Sequence, residues 1–127
     1  MRETAKIVLA LLAGVALGGP AISALRAQPG GHPAYVVAEM HVTDPAGFIE
    51  YVRREGATLG AYHGRTLARA LPDTREGTPP DGTVTILAFD NLQDANRWYN
   101  SPEYGNLIKA RQRSATTRLY FLDGLAQ

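Results

Sequence analysis

Residues 34–48, AYVVAEMHVTDPAGF, set the tightest limit on what this 127-residue chain can fold into. Residues 34–42 alternate, with Val36, Ala38, Met40 and Val42 on one side and Tyr35, Val37, Glu39 and His41 on the other. A period of two makes this a strand with one apolar and one mixed face. Directly after it, Asp44 is suited to accept a hydrogen bond from an otherwise unpaired helical N–H. Pro45 fits the first helical position, where its missing N–H is not needed. Strand therefore passes into helix within two residues. Phe48, Val52 and Leu59 continue at helical spacing, with Ile49 and Tyr51 beside them, and Gly60 to Gly64 close the helix.

The rest of the chain supplies the partners this strand needs. RTLARAL (65–71) reads as a second strand, PDTREGTPPDG (72–82) as a polar loop and TVTILAFD (83–90) as a third strand. NLQDANRWYN predicts a short helix capped by Asp90 or Asn91, which Ser101-Pro102 then interrupts. Proline inside a helix costs roughly 3 kcal/mol, but at the start of a new one it is tolerated. Ser101 therefore caps a second segment in which Tyr104, Leu107, Ile108 and Arg111 share a stripe. TRLYFLDG (117–124) is the last strand. The order β-α-β-β-α-β is that of an α+β, ferredoxin-like fold.

The first 27 residues stand apart. Arg2 and Lys6 precede an uncharged run from Ile7 to Leu25, and small residues follow. That layout is expected of a signal peptide (1–27), followed by a Pro/Gly linker (28–33) and a domain over 34–127. It implies a periplasmic or secreted protein, with membrane attachment only if the leader stays uncleaved. Beyond Ala27, 10 Lys and Arg (13 less Arg2, Lys6 and Arg26) face 11 Asp and Glu (12 less Glu3), a net charge of −1. No basic patch points to nucleic acid. The chain has no cysteine, so disulfides and thiol chemistry are excluded. A domain of about 100 residues must then rely on its core or on self-association.

The segments PAYVVAEMHVTDPAGFIEYV, YHGRTLAR and TILAFDNLQDANRWYNSPEYGNLIKARQRSA resemble the domain-of-unknown-function 1330 family, within the dimeric α+β barrel superfamily. The resemblance covers residues 33–124 and implies a ferredoxin-like subunit that forms a dimeric α+β barrel. Superfamily relatives include cofactor-independent monooxygenases, haem-degrading proteins, lactone isomerases and chlorite-dismutase-like proteins, so the superfamily sets no single chemistry. The family's recurrent residues fall on Asp44, Tyr51, Tyr62, Gly64, Arg65, Arg69, Trp98, Ser101, Pro102, Tyr104 and Arg111. Two positions depart from the pattern: His63 stands where glycine is usual, and Ala70-Leu71 replaces a pair of glycines.

Candidate site residues follow from the expected faces. Glu39 and His41 lie two apart on one strand and so share a face. A carboxylate beside an imidazole is a workable acid/base pair, so these two are the catalytic candidates; the alternative is a wetted or interface-covered edge. Tyr35, His63, Arg65, Trp98 and Tyr104 are the candidate ligand contacts. Arg65 and Arg69, four apart, are expected to face one way, either to bind a carboxylate or phosphate or to pair with Glu39, Glu76 or Glu103. Trp98 is suited either to the core or to a pocket rim. Leu87 and Phe89 are expected beside Val37 on the open sheet face, where two copies would pack as a homodimer. No metal or bound cofactor is expected, since His41 and His63 would need a further ligand. These features point to a small aromatic or carboxylated ligand, bound or transformed without a cofactor, or else to a structural, partner-binding dimer.

Overall fold

The computed structural model describes residues 31–126; the expected leader lies outside them, as does the first half of the linker. Four strands, β1 (Ala34–Val42), β2 (Gly64–Ala70), β3 (Thr83–Phe89) and β4 (Ala115–Asp123), form one antiparallel sheet in the order β2-β3-β1-β4. Helices α1 (Pro45–Leu59), α2 (Leu92–Tyr99) and α3 (Pro102–Ser114) complete the ferredoxin-like arrangement, with a 3₁₀ turn (Gly60–Tyr62) after α1. Among the described residues no helix is long and apolar enough to cross a membrane.

The helix starts follow the sequence. The Asp44 side chain accepts from the Gly47 N–H at 3.3 Å, and that of Asn91, rather than Asp90, accepts from Asp94 N–H at 2.8 Å. Ser101 Oγ accepts from Tyr104 N–H at 3.2 Å and donates to the Trp98 carbonyl at 2.7 Å. One hydroxyl therefore closes α2 and opens α3. This bend stacks Trp98 on Tyr104 with centroids 4.0 Å apart, and both are fully buried. Trp98 also lies 5.5 Å from Phe89, and its indole N–H donates to Thr58 Oγ1 at 2.8 Å. The chain's only tryptophan thus joins α1, α2, α3 and the sheet. The last strand begins at Ala115, two residues before the expected start, because α3 runs into it without a loop.

Two expectations are corrected here. The sheet is not closed into a barrel: β2 and β4 are its two edges and do not pair with each other. Four strands are too few for the purpose, since a filled barrel takes about eight. Leu87 and Phe89 do not join Val37 on the open face either. Cross-strand partners share a face, and Leu87 sits opposite Val36 while Val37 sits opposite Ile86. Leu87 and Phe89 are therefore core residues beneath the helices, and both are buried. The mixed face carries Val84, Ile86 and Ala88 instead.

A third difference comes from β2. The β2–β3 register shifts between Thr66 and Ala68, so Leu67 is an extra residue bulged out of the ladder. A bulge breaks the alternation that four-residue spacing assumes. Arg65, opposite Ala88, faces the open side, whereas Arg69, opposite Thr85, faces the helices. There Arg69 Nη2 donates to Glu55 Oε1 at 2.8 Å and its Nε donates to Thr85 Oγ1 at 3.1 Å. Glu55 on α1 is only 2 % exposed, so the pair ties helix to sheet in a dry setting.

Removing one partner of a buried pair strands the other charge, at a cost of about 3–5 kcal/mol. Arg69→Met is expected to destabilise the domain by about that much in urea unfolding. Adding Glu55→Met should recover most of the loss, as apolar replacement of both partners is often neutral.

Candidate functional site

The helices cover one sheet face and leave the other accessible. At one end of that face lies a cleft of about 830 Å³. Glu39 and His41 of β1, Val84 of β3 and Arg118 and Tyr120 of β4 form its floor, and the Thr78–Asp81 segment of the β2–β3 loop forms its wall. The volume lies within the usual range for a small-molecule site, roughly 300–1,000 Å³. The strand register accounts for the cluster: Glu39 sits directly opposite Arg118, and Val37 opposite Tyr120.

Glu39 is the centre of this group. Arg118 grips it side-on, donating from Nη2 to Oε1 at 2.7 Å and from Nε to Oε2 at 3.2 Å. The Tyr120 hydroxyl donates to Oε2 at 3.1 Å. Although Glu39 is 7 % exposed, the Arg118 hydrogen bonds outweigh its burial and, with Tyr120, hold its carboxyl below the ordinary value of 4.5. Hydrogen bonding to Glu39 raises the Arg118 guanidinium and the Tyr120 phenol in turn. Glu39 is therefore a fixed carboxylate that orients Arg118 and Tyr120, and is unsuited to act as a general acid. His41 does not pair with it. Its Nδ1 lies 3.0 Å from Asp81 Oδ1 across the cleft mouth, with both side chains exposed.

The remaining candidates lie apart. Arg65 and Tyr35 face the open side but share a rung near the opposite end, four residues along β1 from Glu39. That is roughly 13 Å along the strand direction. His63, beside Gly64 and Phe89, lies at the far end of the sheet from His41, roughly 25 Å away along the strand direction. Trp98 and Tyr104 lie in the core, on the opposite side of the sheet from the cleft. There the Tyr51 and Tyr104 hydroxyls meet at 2.7 Å, and Arg111 Nη1 donates to Tyr104 at 2.9 Å. Burial pushes the Tyr51 phenol far up, reinforced by Glu55 and Tyr104, and burial also raises Tyr104 against the opposing pull of Tyr51 and Arg111. These groups hold the three helices together.

His63 is exposed at the turn between the 3₁₀ helix and β2. It adopts φ 59°, the only positive φ of a non-glycine residue among those described. Glycine takes that conformation without strain, whereas histidine is an occasional occupant. Its Nδ1 lies 3.1 Å from Asp94 Oδ2, and Asp94 is also 3.5 Å from Arg97 Nη1. Arg118, Tyr120 and Asp81 were not among the sequence candidates. The only signal for the first two was their alternation in TRLY, which has no meaning until the register sets them against Glu39.

A family model described as a domain of unknown function, DUF1330, matches residues 33–125. The chain belongs to the DUF1330 family. No curated protein matches it. Among solved structures it is similar to the RPA0582 protein of unknown function from Rhodopseudomonas palustris. The two share 17% identity at a TM-score of 0.60, over 87% of this chain and 95% of that one. It is also similar to SnoaB, a cofactor-independent oxygenase from Streptomyces nogalater, with 15% identity, a TM-score of 0.56 and coverage of 76% and 96%. At such identities the likeness is one of fold. The DUF1330 domain thus shares its ferredoxin-like frame with a cofactor-independent oxygenase.

The depressed Glu39 carboxyl has a testable sign. A carboxyl whose folded value lies below its unfolded one stabilises the fold above the unfolded value, and that contribution is lost as pH falls through the folded value. Wild type is expected to lose stability as pH drops below about 4.5. Glu39→Gln should flatten that dependence, as followed by thermal unfolding between pH 3 and 6.

Proposed function

We propose that this DUF1330 domain binds a small aromatic molecule bearing a carboxylate or hydroxyl group in the cleft above Glu39. The observation that carries the reading is the side-on Glu39–Arg118 fork. It engages Nε and Nη2 of Arg118, whose side chain is 77% exposed and lines the cleft. A guanidinium fixed in this way is a preorganised anion receptor. Tyr120, Pro79, Pro80 and Val84 supply apolar surface for a ring beside it. His41 lines the same space, and an imidazole can both accept and donate a proton. It would move any proton the ligand gains or loses, with Asp81 orienting its ring. The fold shared with a cofactor-independent oxygenase supports chemistry of this scale without specifying a reaction.

A panel of benzoate, 4-hydroxybenzoate and phenol tests the reading by thermal shift. A ligand at 100 times its Kd stabilises the folded state by about 2.7 kcal/mol, which corresponds to a rise of several degrees. His41→Ala and Arg118→Lys are expected to reduce the shift strongly; the lysine keeps a charge beside Glu39 while losing the fork. If no compound shifts the transition, or if both variants respond as wild type does, the cleft is not the site.

A second reading concerns the remainder of the open face. Leu122 is 49% exposed there, with Tyr35, Val37 and Ile86 half-buried on the same face. Apolar surface of that kind on a small domain suits a two-fold homodimer formed through the open faces. Sedimentation velocity at micromolar concentration is expected to show a dimer that Leu122→Glu dissociates. A wild-type monomer would overturn this reading.

A further inference from the structure

We infer that the outer end of the β2–β3 pair is a binding site for a divalent first-row transition ion, formed by His63, Asp90 and Asp94. The register builds it. Gly64 sits opposite Phe89, so His63 and Asp90 flank the last rung of the ladder and face each other across it. Asp94 follows one helical turn later, near the start of α2, and points back at the same spot. One ligand atom from each residue lies within 4.8 Å of the other two. His63 and Asp90 are exposed while Asp94 is buried, so one ligand is anchored and two border solvent, where water can complete the coordination.

The donor set narrows the ion. One imidazole nitrogen with two carboxylate oxygens suits Zn²⁺ or Mn²⁺ better than Mg²⁺ or Ca²⁺, which prefer all-oxygen shells. Three protein ligands with an open position is also the form in which Zn²⁺ keeps a bound water. Two positive groups oppose a cation here, the start of α2 and Arg97. The helix end is equivalent to roughly half a charge against two full carboxylate charges. Arg97 is 62% exposed and only 3.5 Å from Asp94 Oδ1, a contact that an ion can displace. On release, its guanidinium still has the Tyr62 ring, whose centroid is 6.0 Å away. His63 takes a left-handed backbone and places its Nδ1 3.1 Å from Asp94 Oδ2. These residues lie at the opposite end of the sheet from the Glu39 cleft, so the inference stands independently of the proposed ligand.

Isothermal titration of the full chain with Zn²⁺ and with Mn²⁺, alongside thermal unfolding, tests it. One equivalent of ion is expected to bind and raise the melting temperature. His63→Asn tolerates the left-handed backbone and, like Asp90→Asn, changes an exposed side chain; each should weaken binding at least tenfold. Arg97→Ala removes the competing cation and should tighten it, a result that a merely structural cluster would not give. The inference is overturned by the absence of stoichiometric binding, by equal binding in the two asparagine variants, or by tighter binding of Mg²⁺ or Ca²⁺ than of either transition ion.

Discussion

All three helices pack on one face of a single four-stranded sheet, and the organisation of the domain depends on that one-sidedness. The large side chains of the core, among them Trp98, Tyr51, Tyr104, Phe89 and Met40, are buried on that side. Dense packing is what a cysteine-free domain of this size has for stability. The other face is correspondingly free to carry charge. Glu39, on the same strand as the buried Val36, Ala38 and Met40, can be a carboxylate only because its side chain points away from them. The separation of core from candidate site is thus a direct result of strand alternation.

The helix side is not uniformly apolar. Glu55, Thr85, Asp94, Ser101, Arg111 and Ser114 are buried there, and most are placed so that one polar group satisfies another. Arg69 reaches Glu55 and Thr85, Trp98 reaches Thr58, and Arg111 reaches Tyr104, which in turn meets Tyr51. Burial without such partners costs several kcal/mol per charged group, so these contacts fix which helix lies against which strand. The Leu67 bulge belongs to the same scheme. Without the extra residue Arg69 would face the open side, and Glu55 would be buried without its counter-ion.

Much of the fold was legible in the sequence because each element carried its own boundary signal. Asp44-Pro45 and Ser101-Pro102 mark helix starts by local chemistry, and the structure uses both as caps. The faces of β2 and β3 were less accessible. Val84 to Phe89 are apolar on both sides apart from Thr85, so alternation alone could not say which set meets the helices. A bulge likewise leaves no mark in RTLARAL. The site was legible only in part. Glu39 and His41 share their face as expected, yet each takes its partner from a distant segment, Arg118 or Asp81, that only the tertiary register brings near. Asp90 and Asp94 joined no candidate site for a related reason, since the imidazole they approach is about 30 residues earlier in the chain. The expected dimeric barrel is not found: the sheet stays open, with β2 and β4 as its unpaired edges.

The central claim is that ligand recognition belongs to the Glu39–Arg118 end of the open face. Mapping amide and side-chain chemical shifts of isotopically labelled protein during titration with benzoate tests it most directly. The account predicts saturable changes concentrated at Glu39, His41, Val84, Arg118 and Tyr120, with the core signals of Trp98 and Tyr104 unmoved. Changes clustered at the Tyr35–Arg65 end of the face or among the helices, or no saturable change at any residue, would contradict it.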